Sequence, residues 1–391
     1  HHQPRRQRQM CIRDSIKGRP LVLRESVWSQ GREAIKEELD KYAEEYKAMF
    51  ERQAPQADQP KTMLPTDPKN IWMEGIGLIG LGANAKAASI AGDLVVQNAR
   101  VRAIGEDAGG FRPISEKDLF DCEYWSLEQA KLGKGAPPKF QGKVVMITGG
   151  SGTIGFAIAE AFSKLGAQTI LVDKDEIALK ESVTKLGVGH KYFPIDVTHS
   201  DAANQALLAA INNFGGLDIL ISNAGAAHAG PMLGISNEEL RNAFELNFFS
   251  HYSFSTEAAK ILKDQNRGGQ ILFNISKQAV NPGKNFGAYG LPKATTFFLM
   301  RQLALELGSD GIRVNGINAD RIRSGLLTDD FISSRAKSRG VSESEYMAGN
   351  LLNKEVTAEH VADAFTALAC AESTTGHVMT VDGGNIEASL R

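Results

Sequence analysis

The C-terminal two thirds of the chain alternate between short apolar runs and longer stretches in which apolar residues recur at helical spacing. The run at residues 143–148 is followed by Ile158, Ala161, Phe162 and Leu165, which share one face of a helix. Further apolar runs occur at residues 168–173, 190–197, 217–225, 271–276, 312–318 and 378–384. Strands that alternate with helices pair in parallel through right-handed crossovers. The pattern therefore predicts an α/β fold built on a doubly wound parallel sheet.

The chain before residue 141 follows a different pattern. One amphipathic helix is predicted by apolar residues at helical spacing, at Trp28, Ile35, Leu39, Tyr42, Tyr46, Met49 and Phe50. The next elements are, in order, the proline-rich residues 55–68, a strand region at 71–81, and helices at about 84–103 and 118–132. Glycine and proline in residues 133–140 are typical of a linker. We expect four parts: a non-native or disordered tail at 1–24, a partial α/β region at 25–132, the linker at 133–140 and a complete domain at 141–391.

A glycine-rich turn joins the run at 143–148 to its helix. Residues 149–155 read Gly-Gly-Ser-Gly-Thr-Ile-Gly; such a turn lets the backbone approach a pyrophosphate, which the helix N-terminus binds through free N–H groups. The next run ends at Asp173, where a carboxylate binds the ribose hydroxyls and repels a 2′-phosphate. The turn predicts a Rossmann-type site for NAD, with NADP disfavoured. Its expected contacts are Gly149, Ser151, Gly152, Ile154, Gly155 and Asp173.

A second match to the glycine pattern occurs at residues 75–80, Gly-Ile-Gly-Leu-Ile-Gly. An apolar strand that ends on an acid should follow, but residues 101–106 are too short and too polar. We interpret residues 75–82 as a glycine-rich strand and turn without a nucleotide role.

Polar and small residues follow the ends of three other predicted strands. They are Asp196, Val197, Asn223, Ala224, Gly225 and Ser276. Because the carboxyl ends of parallel strands meet at one edge of a sheet, where ligands bind, we expect these residues to join the glycine turn in one cofactor site. For Asp196, a simple turn-forming role is the alternative.

Ser276 precedes Tyr289-Gly-Leu-Pro-Lys293. A Tyr and a Lys four residues apart lie on one face of a helix. A phenol has a pKa of about 10, and a neighbouring ammonium favours the phenolate. A serine hydroxyl can hold a substrate oxygen opposite the phenol. Together the three side chains predict proton transfer to or from an alcohol or carbonyl oxygen.

Residues from about 141 to 391 resemble a short-chain dehydrogenase/reductase. The matching motifs are Thr148–Gly155, Asp196-Val197, Ser222-Asn-Ala-Gly225, Asn247, Ser276, Tyr289/Lys293 and Val381-Asp-Gly-Gly384. The resemblance implies that Tyr289 is the general acid/base, that Lys293 lowers its pKa and holds the nicotinamide ribose, and that Ser276 orients the substrate oxygen. It also implies that Asn247 steadies a helix and a water linking Lys293 to solvent, with a helix-kink role as the alternative.

The sequence departs from this family in three places. Its glycine turn reads T-G-x-x-G-x-x-G, as in extended relatives that act on nucleotide sugars. Pro292 falls within the catalytic helix, which is tolerable only if Tyr289 lies in the first turn or so. Ala319-Asp320 replaces a Pro-Gly pair, and Arg321 and Arg323 follow. Either one of these arginines binds an anionic group on the substrate or the cofactor pyrophosphate, or Asp320 pairs with one of them and fixes the start of a lid.

A narrower resemblance is to bifunctional proteins that join a class II aldolase-like region to a dehydrogenase, a family associated with deoxysugar breakdown. It depends on residues 318–328, 346–350 and 374–385, and on residues 118–132, which look like the connecting helix. It implies that residues 25–132 are the C-terminal part of an aldolase-like domain whose beginning is missing. No histidine occurs between His2 and His190, so we expect no metal site there.

Composition and charge argue against several other classes. The formal net charge of −2 disfavours a nucleic-acid partner, although residues 1–15 are rich in arginine. The apolar stretches are too short to span a membrane, and no signal peptide is visible. Cys11, Cys122 and Cys370 form no paired motif, which fits a reducing cytoplasm. The aromatic segment at 248–254 predicts a subunit interface, and we expect a homo-oligomer, a dimer or a tetramer.

The leading hypothesis is an NAD-dependent oxidoreductase that moves a hydride between the nicotinamide and a small-molecule substrate, a hydroxy or carbonyl compound such as a sugar-derived aldehyde or ketose. A second hypothesis is a nucleotide-binding scaffold of the same fold without turnover. A third, suggested by the glycine spacing, is a nucleotide-sugar epimerase or dehydratase. The complete set of Asn247, Ser276, Tyr289 and Lys293 argues against the scaffold, because binding alone does not require all four.

Overall fold

The structure is a computed structural model that describes residues 17–125, 136–227 and 229–385. The chain divides into two compact units, His1–Pro137 and Pro138–Arg391. Most of the predicted tail and the second half of the helix predicted at 118–132 lie outside the described residues.

The first unit contains a small sheet in the order β1–β2–β3. Its strands are β1 (Leu21–Leu23), β2 (Asn70–Met73) and β3 (Gly77–Gly80). β1 pairs with β2 in parallel, and β2 pairs with β3 antiparallel. The second glycine match therefore forms a hairpin: Gly75, with φ 75°, lies in the turn before β3. This agrees with the interpretation of residues 75–82 as a strand and turn.

The helices of the first unit are α1 (Glu25–Trp28), α2 (Arg32–Gln53), α3 (Ala85–Asp107) and α4 (Glu116–Glu123). The predicted amphipathic helix is α2, and its buried face carries Tyr42, Tyr46 and Met49. Trp28, which was expected on the same helix, belongs to α1, because Gly31 with φ 95° interrupts the helical backbone.

The second unit is built on the predicted parallel sheet. Its seven strands lie in the order β10–β9–β8–β7–β4–β5–β6, and every neighbouring pair is parallel. The strands are β4 (Val144–Thr148), β5 (Gln168–Asp173), β6 (Lys191–Pro194), β7 (Ile219–Ser222), β8 (Gly269–Asn274), β9 (Ile312–Ala319) and β10 (Val378–Val381).

Helices cover both faces of this sheet. They are α5 (Thr153–Lys164), α6 (Glu176–Leu186), α7 (Ala202–Phe214), α8 (Asn237–Phe244), α9 (Ser250–Gln265), α10 (Gly287–Leu307), α11 (Asp329–Arg339), α12 (Glu343–Met347) and α13 (Ala358–Cys370). Along β4, Val144 and Met146 pack into one apolar core, whereas Val145 and Ile147 pack into the other. Burial on both faces explains the unbroken apolar runs in the sequence.

The strand order reverses next to β4. From β4 the chain winds outward through β5 to β6, and it then returns to the centre to place β7 on the other side of β4. In open α/β sheets, a crevice at the carboxyl ends of the strands forms at such a reversal. The fold therefore places the glycine turn after β4 opposite the segment after β7.

Candidate active site

A cavity of about 680 Å³ lies where the strands of the second unit end. Thirteen of the predicted site residues line it: Gly149, Gly152, Ile154, Gly155, Asp173, Asp196, Val197, Asn223, Ala224, Gly225, Ser276, Tyr289 and Lys293. Ser151 and Asn247, which were also predicted, are not part of its wall.

The glycine turn has the shape of a phosphate cradle. A Cβ at Gly155 would overlap the carbonyl oxygen of Gly149, so this close approach of helix and turn requires glycine. At Gly152 the nearest atom to an added Cβ is 3.4 Å away, so the space beside this residue is not filled by protein. Gly152 is also the N-cap of α5, and no side chain caps the helix. The first N–H groups of α5 are thus available for an anion.

Thr148 at the end of β4 holds the segment after β7 in place. Its Oγ1 accepts hydrogen bonds from the N–H groups of Asn223 at 2.9 Å and Ala224 at 3.1 Å. In return, Asn223 Nδ2 donates to the Thr148 carbonyl oxygen at 3.0 Å, and Asn274 Nδ2 donates to Asn223 Oδ1 at 2.8 Å. Sequence reasoning assigned no role to Asn274, although its position at the end of β8 is a signal that could have identified it.

Asp173 is fixed at the end of β5 by two neighbours. Ser151 donates to Asp173 Oδ2 from its hydroxyl at 2.7 Å and from its N–H at 3.3 Å, while the N–H of Lys174 donates to Oδ1 at 2.8 Å. The structure therefore places Ser151 behind the carboxylate instead of on the cavity wall, because its hydroxyl points to Asp173. Its role in this arrangement is to orient Asp173.

Asp196 combines the two roles considered for it. It lines the cavity, and its Oδ1 accepts from the N–H of Thr198 at 3.0 Å and from the Thr198 hydroxyl at 2.7 Å. These hydrogen bonds hold the pKa of Asp196 below its usual value. The residue thus shapes the turn after β6 and remains an anion at neutral pH.

Tyr289 is the third residue of α10, and Pro292 follows three residues later. The phenol therefore lies in the first turn of the helix, as the proline requires. Tyr289 is buried, which raises its pKa, and a hydrogen bond with Ser276 partly offsets this effect. The ammonium of Lys293 lies 5.9 Å from the centre of the Tyr289 ring and is not among the causes that shift this pKa. The implied lowering of the pKa by Lys293 is therefore not seen in this structure.

Lys293 is deeply buried, with 2% of its surface exposed. Its Nζ donates to the carbonyl oxygen of Asn274 at 3.0 Å and lies 3.4 Å from Nε2 of His251. Burial lowers the pKa of Lys293 to about 7. The other ring nitrogen of His251 lies 2.6 Å from the hydroxyl of Ser222, and burial together with the nearby ammonium keeps the pKa of His251 well below its usual value.

His251 is a site residue that sequence reasoning missed. It lies on α9, four residues after Asn247, in the segment predicted only as an aromatic interface. Its position on that helix gives no sign that its ring turns inward toward Lys293. It is therefore recognisable only once α9 and α10 are packed together.

Asn247 lies in a π-helical turn, Glu245–Phe249, between α8 and α9. Its side chain accepts from the N–H of Ala226 at 3.3 Å and donates to the Ala226 carbonyl at 3.0 Å. The hydroxyl of Thr296 on α10 donates to the Asn247 carbonyl at 2.7 Å. Asn247 therefore ties the irregular helix to the segment after Gly225 and to α10. It acts on the cavity through Ala226 and not as part of its wall.

Arg321 and Arg323 both have protein partners. Arg321 donates to the carbonyl oxygen of Tyr346 at 2.7 Å and pairs with Asp320 at 3.5 Å. Arg323 pairs with Glu355 at 2.7 Å and does not line the cavity. Of the two roles considered, the structure has the one in which Asp320 pairs with an arginine at the start of the segment after β9.

Two family models match the chain. One, described as enoyl-(acyl carrier protein) reductase, matches residues 150–385, and the other, described as aldolase class II, second domain, matches residues 12–132. Secoisolariciresinol dehydrogenase from Forsythia intermedia is 30% identical over 257 residues, covering 63% of this chain and 90% of that protein. The chain belongs to the short-chain dehydrogenase/reductase family. Together the two matches give the aldolase-plus-dehydrogenase arrangement that the sequence resembles.

Another relative extends the similarity to almost the whole chain. The uncharacterized oxidoreductase YuxG of Bacillus subtilis (strain 168) is 32% identical over 365 residues, which is 90% of this chain and 52% of that protein. The chain thus spans about half the length of that relative.

Solved structures of the family share the fold of the second unit. L-sorbose reductase from Gluconobacter frateurii, complexed with NADPH and L-sorbose, is 28% identical with a TM-score of 0.59 and covers 64% of this chain and 98% of that chain. The 3-ketoacyl-(acyl-carrier-protein) reductase from Brucella melitensis, complexed with NADH, is 25% identical with a TM-score of 0.57, and the match covers 62% of this chain and 98% of that chain. Within residues 17–125, 136–227 and 229–385, no helix is both long and apolar enough to cross a membrane.

Proposed function

We propose that the chain is an NAD-dependent oxidoreductase that acts on a small hydroxy or carbonyl compound, a sugar-derived aldehyde or ketose. The observation that carries the proposal is one cavity that joins a glycine turn suited to phosphate with Ser276, Tyr289 and Lys293. Family membership supports oxidoreductase chemistry, and the finer assignment depends on these side chains.

The wall of the cavity fits a nicotinamide dinucleotide. The uncapped N-terminus of α5 and the open side of Gly152 suit its pyrophosphate. Asp173 lies where the adenosine ribose is bound in this fold, and the segment Asn223–Gly225 lines the middle of the cavity. When bound, the cofactor supplies or takes up the hydride.

The proton moves through Tyr289. Its raised pKa keeps the phenol protonated at neutral pH, the form that donates a proton to a carbonyl oxygen during reduction. In the oxidative direction Tyr289 must first release this proton to solvent, and its phenolate oxygen then takes the hydroxyl proton of the substrate. Ser276, which is hydrogen-bonded to Tyr289, is placed to hold the reacting oxygen.

The preference for NAD depends on Asp173. Its carboxylate faces the cavity in a fixed orientation, and it would repel a 2′-phosphate. Lys174 also lines the cavity and would attract such a phosphate. We expect Asp173 to prevail, because hydrogen bonds hold it in place, so kcat/KM with NAD should exceed that with NADP. Asp173→Ser should narrow this ratio, and equal efficiency of the unmutated protein with both cofactors would show that Asp173 does not reach the ribose.

The substrate class is tested by a panel of small aldehydes, ketoses and alcohols, with NADH or NAD followed at 340 nm. L-Sorbose reductase, which is similar in fold, is complexed with a ketose, and the aldolase-like match at residues 12–132 is in keeping with carbohydrate metabolism. Turnover with at least one sugar-derived carbonyl supports the proposal. Cofactor binding without any turnover would favour the scaffold, and redox-neutral conversion of a nucleotide sugar would favour the epimerase.

The proposal includes a homo-oligomer in the cytoplasm. Three aromatic side chains are exposed: Phe249 at the end of the π-helical turn at 46%, Tyr252 on α9 at 47% and Phe298 on α10 at 68%. Apolar surface of this kind is typical of subunit interfaces. Light scattering coupled to size exclusion gives the oligomer number, and a monomer at micromolar concentration would contradict this part of the proposal.

A further inference from the structure

Unpaired cations line the part of the cavity beside the catalytic tyrosine. Arg335, Arg339 and Lys284 line the same cavity as Ser276 and Tyr289. Among the residues that the structure describes, the side chains of these three have no hydrogen-bond or ion-pair partner. This part of the cavity therefore presents positive charge that the protein itself does not neutralise.

Arg335 is the best defined of the three cations. It lies on α11, and its guanidinium carbon is 5.7 Å from the centre of the Phe286 ring and 6.0 Å from that of Phe331. Those two rings contact each other edge to face, with 5.9 Å between centres. The Nε atom of Arg335 is buried and lacks an acceptor within the described ranges. The two aromatic rings thus flank the planar group, and its terminal nitrogens, which have no partner among the described residues, remain available to another molecule.

Arg321 shows what a structural arginine looks like in the same segment. Its guanidinium donates to the carbonyl oxygens of Tyr346 and Gly349 and pairs with Asp320. Buried donors in proteins are normally satisfied in this manner. Arg335 differs because none of its donors has a hydrogen-bond acceptor among the described residues, and a structural role would not require it to line a cavity.

The position of Arg335 assigns it to the substrate and not to the adenosine end of the cofactor. Its neighbour Phe286 directly precedes α10 and is three residues from Tyr289. Asp173, which marks the ribose position, ends β5, whereas Ser276 follows β8, three strands away in the sheet. At the usual spacing of strands, that separation is roughly 14 Å. A group that contacts Arg335 is therefore close to the proton-transfer residues.

We infer that the compound bound opposite Tyr289 carries an anionic group, a phosphate or a carboxylate, and that Arg335 binds this group. That this compound is the substrate rests on the proposed function. Arginine suits such a group because its planar donors match two oxygens at once. Arg339 and Lys284 contribute further positive charge at the same end of the cavity. The expected substrates are thus sugar phosphates or hydroxy and oxo acids in preference to neutral aldehydes.

Three ketones of similar size test the inference: dihydroxyacetone is neutral, dihydroxyacetone phosphate carries a phosphate, and hydroxypyruvate carries a carboxylate. Each is titrated calorimetrically into the NAD-loaded protein, in which the ketone cannot be reduced, so that binding is measured without turnover. We expect at least one anionic ketone to bind about 10- to 100-fold more tightly than dihydroxyacetone, the range of one charge-assisted contact. The better of the two anions identifies the preferred group.

The variants give the decisive comparison. Arg335→Met, which keeps the apolar packing between the rings, should abolish the preference, and Arg335→Lys should recover part of it. Arg301→Met is the matched control, because Arg301 also lies over an aromatic ring, Phe297 at 5.9 Å, but does not line the cavity. Equal affinities for the three ketones, or a preference that survives in Arg335→Met, would overturn the inference.

The same compounds separate this inference from the proposed function. Oxidation of NADH at 340 nm with the three ketones measures turnover independently of the binding preference. An anion preference that depends on Arg335, without turnover of these ketones or of any compound in the panel of aldehydes, ketoses and alcohols, would refute the oxidoreductase and leave the anion site. Turnover without any anion preference would refute the anion site and leave the oxidoreductase.

Discussion

Replacement of Lys293 by Met should make the cofactor-free protein more stable at neutral pH while it abolishes activity. The ammonium of Lys293 is buried beside His251 and donates a hydrogen bond of 3.0 Å to the carbonyl oxygen of Asn274. Among the described residues no carboxylate pairs with it. Burial of such a charge is unfavourable, which is why its pKa falls from 10.5 to about 7.

The magnitude follows from that shift. In the unfolded chain Lys293 holds its proton up to about pH 10.5, whereas in the folded protein it loses the proton above about pH 7. The unfolded state therefore binds more protons between these limits, and stability rises with pH across this window. Across this whole window the free energy of unfolding changes by about 4–5 kcal/mol. Since Met leaves the Asn274 carbonyl without its donor, which costs about 1–3 kcal/mol, the net gain at pH 7 should be about 1–3 kcal/mol.

Thermal unfolding of both proteins without cofactor, recorded at pH 7 and pH 10, measures this effect. At pH 7 the variant should unfold at a higher temperature than the unmutated protein, and this advantage should disappear or reverse at pH 10. Between the two pH values, the difference between the two unfolding temperatures should change by about 10 °C. Lys164→Met is the control, because Lys164 is an exposed lysine on α5 and its replacement should show no such trend. A difference between the Lys293 variant and the unmutated protein that stays constant with pH would refute the reasoning.

The remaining predictions concern turnover, the glycine turn and the first unit. Tyr289→Phe should lower kcat by about 10²- to 10⁴-fold while NADH binding, followed by fluorescence, persists; undiminished turnover would mean that another group moves the proton. Gly155→Ala should weaken NADH binding by about tenfold or more, the value of one lost charge-assisted contact, because the new Cβ displaces the Gly149 carbonyl. Gly308→Ala, with no atom within 4 Å of the added Cβ, should leave binding unchanged. Deletion of residues 1–132 should preserve activity, and a soluble product that binds NADH without turnover would show that the first unit completes the substrate pocket.

The sequence predicted those parts of the molecule that depend on local patterns. Each apolar run of the second unit became a strand of the sheet, because strands buried on both faces are apolar throughout. The glycine turn, Asp173 and the Tyr289 helix were predictable for the same reason, since each depends on spacing within one or two elements.

Features that depend on tertiary packing could not be predicted in this way. The ring of His251 meets Lys293 only after α9 and α10 pack together. No local sequence motif contains both residues. That the buried Nε of Arg335 lacks an acceptor among the described residues likewise follows only from the packing around it. The sequence also singled out Arg321 and Arg323 by their charge, but two of their partners, Tyr346 and Glu355, lie 25 and 32 positions away along the chain.

The hydroxyl of Thr148 links cofactor binding to the long-range packing of the sheet. It joins the ends of β4 and β7 across 75 positions of sequence, so the loop that this contact closes is long and its closure has an entropic cost. Chains in which β7 has not packed beside β4 lack this contact, and with it the finished cofactor cradle. A ligand that binds the finished cradle and not such chains stabilises the folded protein by mass action. Loading with cofactor should therefore raise the temperature at which the second unit unfolds.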